Sequence, residues 1–288
     1  FDPEFRNKII GALPSEMESQ QIFSDLIDSC RLQYKNINNN LHISKADFAL
    51  SPTKWQASSF PKDFQKKITI IHDGIDTQTL IPNPSIEFIF NSRLKLTKNS
   101  EVVTFVNRDL EPYRGYHSFM RSLPKLLKKR PNLIVLIIGG DSTSYGTKPP
   151  EGKTWKDIFA NEVKSKIDKE DLDRILFLGT IPYDKYIGIL QLSTVHVYLT
   201  YPFILSWSLL EAMSIGCSII ASDTKPVSEV IINNRNGILV DFFDYDQIAL
   251  EISGLLENKN KRDQLSKRAR EYAINNYDLK TISLPRQI

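Results

Sequence analysis

Cysteine is nearly missing from this chain, with only Cys30 and Cys217 among 288 residues. The two form no paired spacing, which argues against a disulfide frame or a zinc site and suits a reducing compartment. Histidine is also scarce, at four residues. His72, in IIHDGID, reads as a linker residue and His196 as a packed or edge histidine inside a strand, with catalysis the less favoured reading of each. Ser206 and Ser208 lack the glycines of a nucleophile elbow, and no Ser-His-Asp set is visible. No G-x-G-x-x-G follows the strand expected near Val102, which disfavours a dinucleotide-dependent oxidoreductase. Long apolar runs are absent too: LIVLII at 133–138 is about a third of a membrane span. No signal-peptide pattern opens the chain, so a cytoplasmic location is expected, extending at most to peripheral contact with the inner face of a membrane. The first residue is Phe1 rather than methionine, which fits a fragment or a processed product. Net charge is only +3, too small to argue for nucleic acid. Basic clusters at 125–130 and 259–270 fit solvated helix faces better than a polyanion or anionic-lipid surface.

What the chain does have is ordinary globular composition, 41% hydrophobic and 25% charged. From Glu101 onward short apolar runs alternate with helical segments. Strands are expected over 102–106, 133–140, 174–179, 195–201, 218–222 and 238–242, with helices after Gly115 and over 155–167, 183–192 and 207–214, and two more closing the chain. The runs are continuous in hydrophobicity, as parallel strands covered on both faces should be. The expected fold class is α/β, a doubly wound, Rossmann-like parallel sheet over 85–288. Residues 1–84 differ in kind, with a polar helical stretch over 15–36, a strand over 46–51 and another within 68–76. They read as the end of a second, truncated α/β domain, joined through a linker marked by Pro82 and Pro84.

The most informative stretch is VHVYLTYPFILSWSLLEAMSIGCSIIAS, 195–222. Ser206 suits an N-cap and Gly216 a left-handed C-cap, so Glu211 falls in the second helical turn and points back toward the mouth of the preceding strand. An acid there is placed to accept from the cis-diol of a ribose; alternatively it complements the helix dipole or caps a neighbouring amide. Arg108, two residues past the strand expected over 102–106, and Arg114 with Gly115 belong to the same sheet edge. Guanidinium groups and a helix start favour a diphosphate. The alternative is that Arg108 pairs with Asp109 or Glu111 on the surface. Gly139 and Gly140 allow close approach of a ligand or simply a tight turn. The acidic DLD at 171–173 reads as a solvated turn on the opposite edge rather than a metal site.

Taken together, FVNRDLEPYRG, RILFLGTIPYDKYIGILQLSTVHVYLTYPFILSWSLLEAMSIGC and SDTKPVSEVIINNRNGILV resemble the retaining glycosyltransferases of family 4, which have the GT-B fold. ADFALSPTKWQASSFP and IHDGIDT look like the end of that family's N-terminal domain and its interdomain linker. The resemblance implies transfer of a sugar from a nucleotide-sugar donor to a saccharide or lipid-linked acceptor, in polysaccharide or lipopolysaccharide assembly. Arg108 and Arg114 then match the residues that bind the donor diphosphate and carry catalysis, Arg114 standing where lysine is usual. Glu211 matches the second glutamate of a paired motif that holds the ribose, and Phe203 stands where the first would be. Gly115, Phe203, Leu205, Ser206 (where glycine is usual) and Trp207 match the donor loops, and Thr180 and Ile181 the segment lining the base. Glu229 matches another frequent family glutamate, although on physics alone it is a first-turn acid. No metal or other cofactor is expected, because arginine supplies the charge. The competing expectation is a nucleotide-sugar-binding module without activity of its own.

Overall fold

The computed structural model describes residues 25–91 and 94–288, which divide into two compact units. One comprises the residues through Ser51 with Ala57–Ile70, the other Pro52–Gln56 with Ile71–Ile288. Of the helix expected over 15–36, residues 15–24 lie outside the described ones. Helix α1 (Asp25–Lys45) continues beyond Asn36, with His42 and Lys45 in its last turn, where positive charge complements the dipole. Strands β1 (Ala49–Ser51) and β2 (Ile68–Ile70) pair in parallel, and α2 (Lys54–Ser58) and α3 (Lys62–Gln65) lie between them in sequence.

The larger unit opens with an antiparallel hairpin, β3 (Glu87–Asn91) and β4 (Leu94–Thr97), which the sequence reading did not anticipate. All six expected main strands then form: β5 (Val102–Asp109), β6 (Ile134–Gly140), β7 (Ile175–Gly179), β8 (Val195–Tyr198), β9 (Ile219–Ser222) and β10 (Ile238–Val240). They build one parallel sheet in the order β10-β9-β8-β5-β6-β7. Every residue of β8 and β9 is buried, which is why these runs show no polar alternation. Strand β8 ends at Tyr198, short of Pro202, because Thr200 turns its amide to the Ser222 hydroxyl at 3.1 Å instead of continuing the ladder.

Helices α4 (Tyr116–Lys129) and α5 (Trp155–Lys164) pack on each other. Beyond them come the short α6 (Lys169–Leu172), α7 (Tyr183–Leu192), α8 (Trp207–Ile215), the turn α9 (Lys225–Ser228), α10 (Tyr245–Glu257), α11 (Lys259–Tyr277) and α12 (Leu284–Gln287). Helix α10 lies against α4, while α8 packs on α7 and α11. The basic clusters are only partly solvated: Lys125 pairs with Asp246 at 3.0 Å and Lys259 with Asp263 at 2.5 Å on exposed faces, whereas Arg130 packs against Glu101 and Arg262 and Arg270 donate to the carbonyls of Leu256 and Leu80. After α11 the chain returns to the linker. Ile75 donates to the Tyr277 carbonyl at 2.9 Å, Leu279 donates back to Ile75 at 2.8 Å, and the Thr77 hydroxyl donates to buried Asp278 at 2.5 Å.

Candidate active site

Strand order fixes where a ligand can enter. From β5 the chain steps outward through β6 and β7, then crosses back to β8 and runs the other way through β9 and β10. The loops leaving β5 and β8 therefore diverge, and crevices at such a reversal are where open α/β sheets bind ligands. The crevice here is a cleft of about 650 Å³. Arg108, Arg114, Thr180, Ile181, Ser206, Trp207 and Glu211 all line it, together with Tyr183 and Tyr186.

Glu211 is set by local helix chemistry. Ser206 is extended, its hydroxyl accepts from the Ser208 amide, and Gly216 closes the helix at φ 80°. The carboxylate is only 8% exposed and accepts two phenol hydrogen bonds, from Tyr183 to Oε1 and from Tyr186 to Oε2, each 2.7 Å. Burial, and then the bond to Glu211 and its charge, push the Tyr183 hydroxyl far above the usual tyrosine range; Tyr186 is pushed up by burial and then by the same charge. Both stay donors at any physiological pH. Each carboxylate oxygen thus carries one tyrosine hydroxyl. Among the described residues the partners of the carboxylate are these two phenols rather than a backbone amide.

Arg114 lies in a 3₁₀ turn (Pro112–Arg114) ahead of α4 and is 8% exposed. Its Nη1 donates to Thr200 Oγ1 at 2.9 Å and to the Ile204 carbonyl at 3.5 Å. The guanidinium carbon is 5.1 Å from the Tyr145 ring centre and 5.4 Å from that of Phe203, within cation–π range of both. Phe203 thus acts on the cleft through Arg114 and is absent from its lining. Arg108 belongs to the end of β5 rather than to the loop beyond it, at an irregularity between Val106 and Asp109, and stands exposed on the cleft wall. The surface pairing with Asp109 or Glu111 does not occur. Both acids are buried and hold the loop after β6: Asp109 accepts from the Ser142 amide at 3.2 Å and from the Ser144 hydroxyl, and Glu111 from the amides of Tyr145 and Gly146 at 3.2 and 3.0 Å. This tether is what brings Tyr145 over Arg114.

Residues 87–272, well over half the chain, match the family described as Glycosyl transferases group 1. The chain belongs to the group 1 glycosyltransferases. Residues 16–80 match a second family, described as Glycosyl transferase family 4 group. An uncharacterized glycosyltransferase of Methanocaldococcus jannaschii is 27% identical over 86% of this chain and 59% of its own length. A D-inositol 3-phosphate glycosyltransferase of Corynebacterium efficiens is 26% identical over 73% of this chain and 47% of its own. The chain therefore spans about half of these relatives. Among solved structures, Anabaena HepE in complex with UDP superposes with a TM-score of 0.69 at 16% identity, covering 98% of this chain and 75% of that one. The C-terminal domain of LpcC from Francisella tularensis gives 0.59 at 21% identity, covering 72% of this chain and all of that domain. The fold is that of the GT-B enzymes.

Not every residue singled out in this glycosyltransferase's sequence reaches the cleft. Gly115 and Leu205 are absent from its lining. Gly115 has φ 72°, and a Cβ there would sit 2.3 Å from the Leu199 Cβ, so it serves the close fit of α4 against the end of β8. Leu205 is 3% exposed in the core. Gly139 lines the cleft, whereas the space beside Gly140 is taken by the Asp109 carboxylate. Glu229 is not a first-turn acid: it follows α9, and its carboxylate accepts from the amides of Lys54 and Trp55 at 2.8 and 2.5 Å. Asp171 belongs to the short helix α6 rather than to a solvated turn, and pairs with Arg174 at 2.6 Å. His72 accepts from the Gly74 amide through Nδ1 at 3.0 Å, and buried His196 shares a 2.9 Å bond with Thr104. Sequence reasoning missed the roles of Tyr145, Tyr183 and Tyr186. Tyr183 and Tyr186, three residues apart on a helix, carried a usable signal because they share a face; Tyr145, a lone aromatic in a polar loop, carried none.

Proposed function

We propose that this glycosyltransferase moves a hexosyl group from a nucleotide-sugar donor to an acceptor hydroxyl with retention at the anomeric carbon. The observation that carries the reading is the convergence of Arg108, Arg114 and Glu211 on one crevice at the reversal of strand order. Arg108 and Arg114 bind the donor diphosphate, Glu211 the ribose diol, and Thr180 and Ile181 the base, while Ser206 and Trp207 face the sugar. As the bond to the diphosphate breaks, negative charge grows on the leaving oxygen, and guanidinium groups fixed beside it stabilise that charge. With two arginines in this role, no metal or other cofactor is part of the proposal. Solved neighbours that carry UDP, or UDP-glucose, support a nucleotide-sugar donor.

On this reading residues 85–288 are the donor domain, and residues 1–84 are the linker and part of an acceptor-side domain. The proposed acceptor is a saccharide or lipid-linked one, in polysaccharide or lipopolysaccharide assembly at the inner membrane face; a relative named phosphatidyl-myo-inositol mannosyltransferase supports the lipid-linked acceptor alone. Among the described residues no helix is long and apolar enough to cross a membrane.

Calorimetry with UDP, GDP and ADP tests the site. One of these should bind, and Arg108→Ala should weaken it at least about tenfold, the worth of a hydrogen bond to a charged group; unchanged affinity would remove Arg108 from the site. Phe203 in place of the family glutamate favours a second reading, a donor-binding module without turnover. Slow hydrolysis of a bound nucleotide sugar supports the transferase, whereas binding with no release of sugar supports the module.

A further inference from the structure

The two hydrogen bonds to Glu211 are equal in length and unequal in setting. Tyr186 is 9% exposed and packs in the core beneath the cleft, flanked in sequence by Ile187, Ile189 and Leu190, which join the same apolar cluster. Its ring has no room to leave. Tyr183 stands at the first position of α7, 59% exposed, on the rim. Its side chain lines the cleft, and its hydroxyl donates to Glu211 Oε1. The two rings are in tilted contact, with centroids 5.7 Å apart.

Building on the ribose reading of Glu211, we propose that the two tyrosines have separate roles: Tyr186 is a fixed positioning residue that aims the carboxylate, and Tyr183 is a placeholder whose hydroxyl is exchanged for a ribose hydroxyl on nucleotide binding. Unpaired, a buried carboxylate is costly. Tyr186 reduces that cost permanently and fixes which face of the carboxylate is left open; Tyr183 reduces it only while the cleft holds water. The exchange swaps one hydroxyl donor for another, so the number of bonds to Glu211 does not fall as the nucleotide enters. Ring burial keeps both phenols protonated, so the arrangement does not vary across the physiological pH range.

The test uses whichever of UDP, GDP or ADP the wild-type chain binds, and its 2′,3′-dideoxy counterpart, titrated into wild type, Tyr186→Phe and Tyr183→Phe. Wild type should prefer the ribonucleotide. Tyr186→Phe should reduce that preference about tenfold, in line with one hydrogen bond to a charged group, while its affinity for the dideoxy compound stays as in wild type, which also reports that the cleft is folded. Tyr183→Phe should leave the ribose preference within a factor of about two of wild type or raise it, since it removes the competitor rather than the aim. A Tyr186→Phe variant that keeps the full preference overturns the positioning role. A Tyr183→Phe variant that loses it as Tyr186→Phe does overturns the placeholder role. If wild type binds a nucleoside diphosphate but does not distinguish ribose from dideoxyribose, the ribose reading of Glu211 fails and this inference fails with it. Binding of none of the three diphosphates overturns the donor-site reading as a whole.

Discussion

Arg114 shows how one residue type can hold a charge still without spending it on a partner carboxylate. Its guanidinium is flanked by Tyr145 and Phe203 and tied through Nη1 to Thr200 and the Ile204 carbonyl. Aromatic faces attract the cation without neutralising it, so its full charge remains available to an anion. Lysine has no planar surface to stack in this way, which gives a physical reason for arginine here. The same geometry gives Phe203 a purpose: a carboxylate in its place would lie beside the guanidinium and pair with it. Phe203→Glu should therefore lower the affinity for a nucleoside diphosphate about tenfold, as expected when a charge-assisted hydrogen bond is diverted, and calorimetry would show it. Affinity equal to wild type would mean that the charge of Arg114 does not reach the ligand.

Among the elements, the loop after β6 is the one whose order depends most on its neighbours. It has no regular structure between Gly140 and Trp155, and its Ser142–Gly146 portion is held by two buried acids at the end of β5, Asp109 and Glu111. Glu111→Ala removes the acceptor of the Tyr145 and Gly146 amides; hydrogen exchange at both should quicken, and Tyr145 should lose its place over Arg114. Unaltered protection would show that the loop is held by other contacts. This tether also shows how far the sequence could be read. The six main strands were legible because buried parallel strands are continuous apolar runs, and helix α8 because Ser206 and Gly216 mark its ends. Glu211 and Arg108 were legible as neighbours at one sheet edge. Asp109 and Glu111, beside Arg108 in sequence, looked like its surface partners, and only the turn after β5 reveals that they face inward. The hairpin of β3 and β4 was missed because its strands are short and only partly buried, and Tyr145 because its position depends on a tether formed more than thirty residues away.

At the scale of the whole molecule, buried histidines contribute to the response to acid: burial lowers the pKa of His72, and that of two others further still. His117 on α4 lies among Phe159, Phe242 and Phe243 with neither ring nitrogen hydrogen-bonded, and burial, followed by the charge of Arg121, lowers its pKa to about 3. Burial lowers His196 to about 4. In the unfolded chain both titrate near the ordinary value of about 6.5. Between these limits the unfolded state binds more protons, so the contribution to stability is complete above pH 6.5 and is lost as pH falls toward 4. The melting temperature should decline over that interval before most carboxylates titrate. His117→Phe should raise the melting temperature at neutral pH by a few degrees, roughly the effect of relieving about 1 kcal/mol of unpaired polar burial, and make the decline between pH 6.5 and 5 shallower; an unchanged slope would clear His117 of any part in it. The return of the chain to its linker has a consequence for how this unit is made. Thr77 finds its buried acceptor, Asp278, 201 residues further along. A ribosome delivers the chain in order, so Thr77 waits without that anchor until Asp278 has emerged.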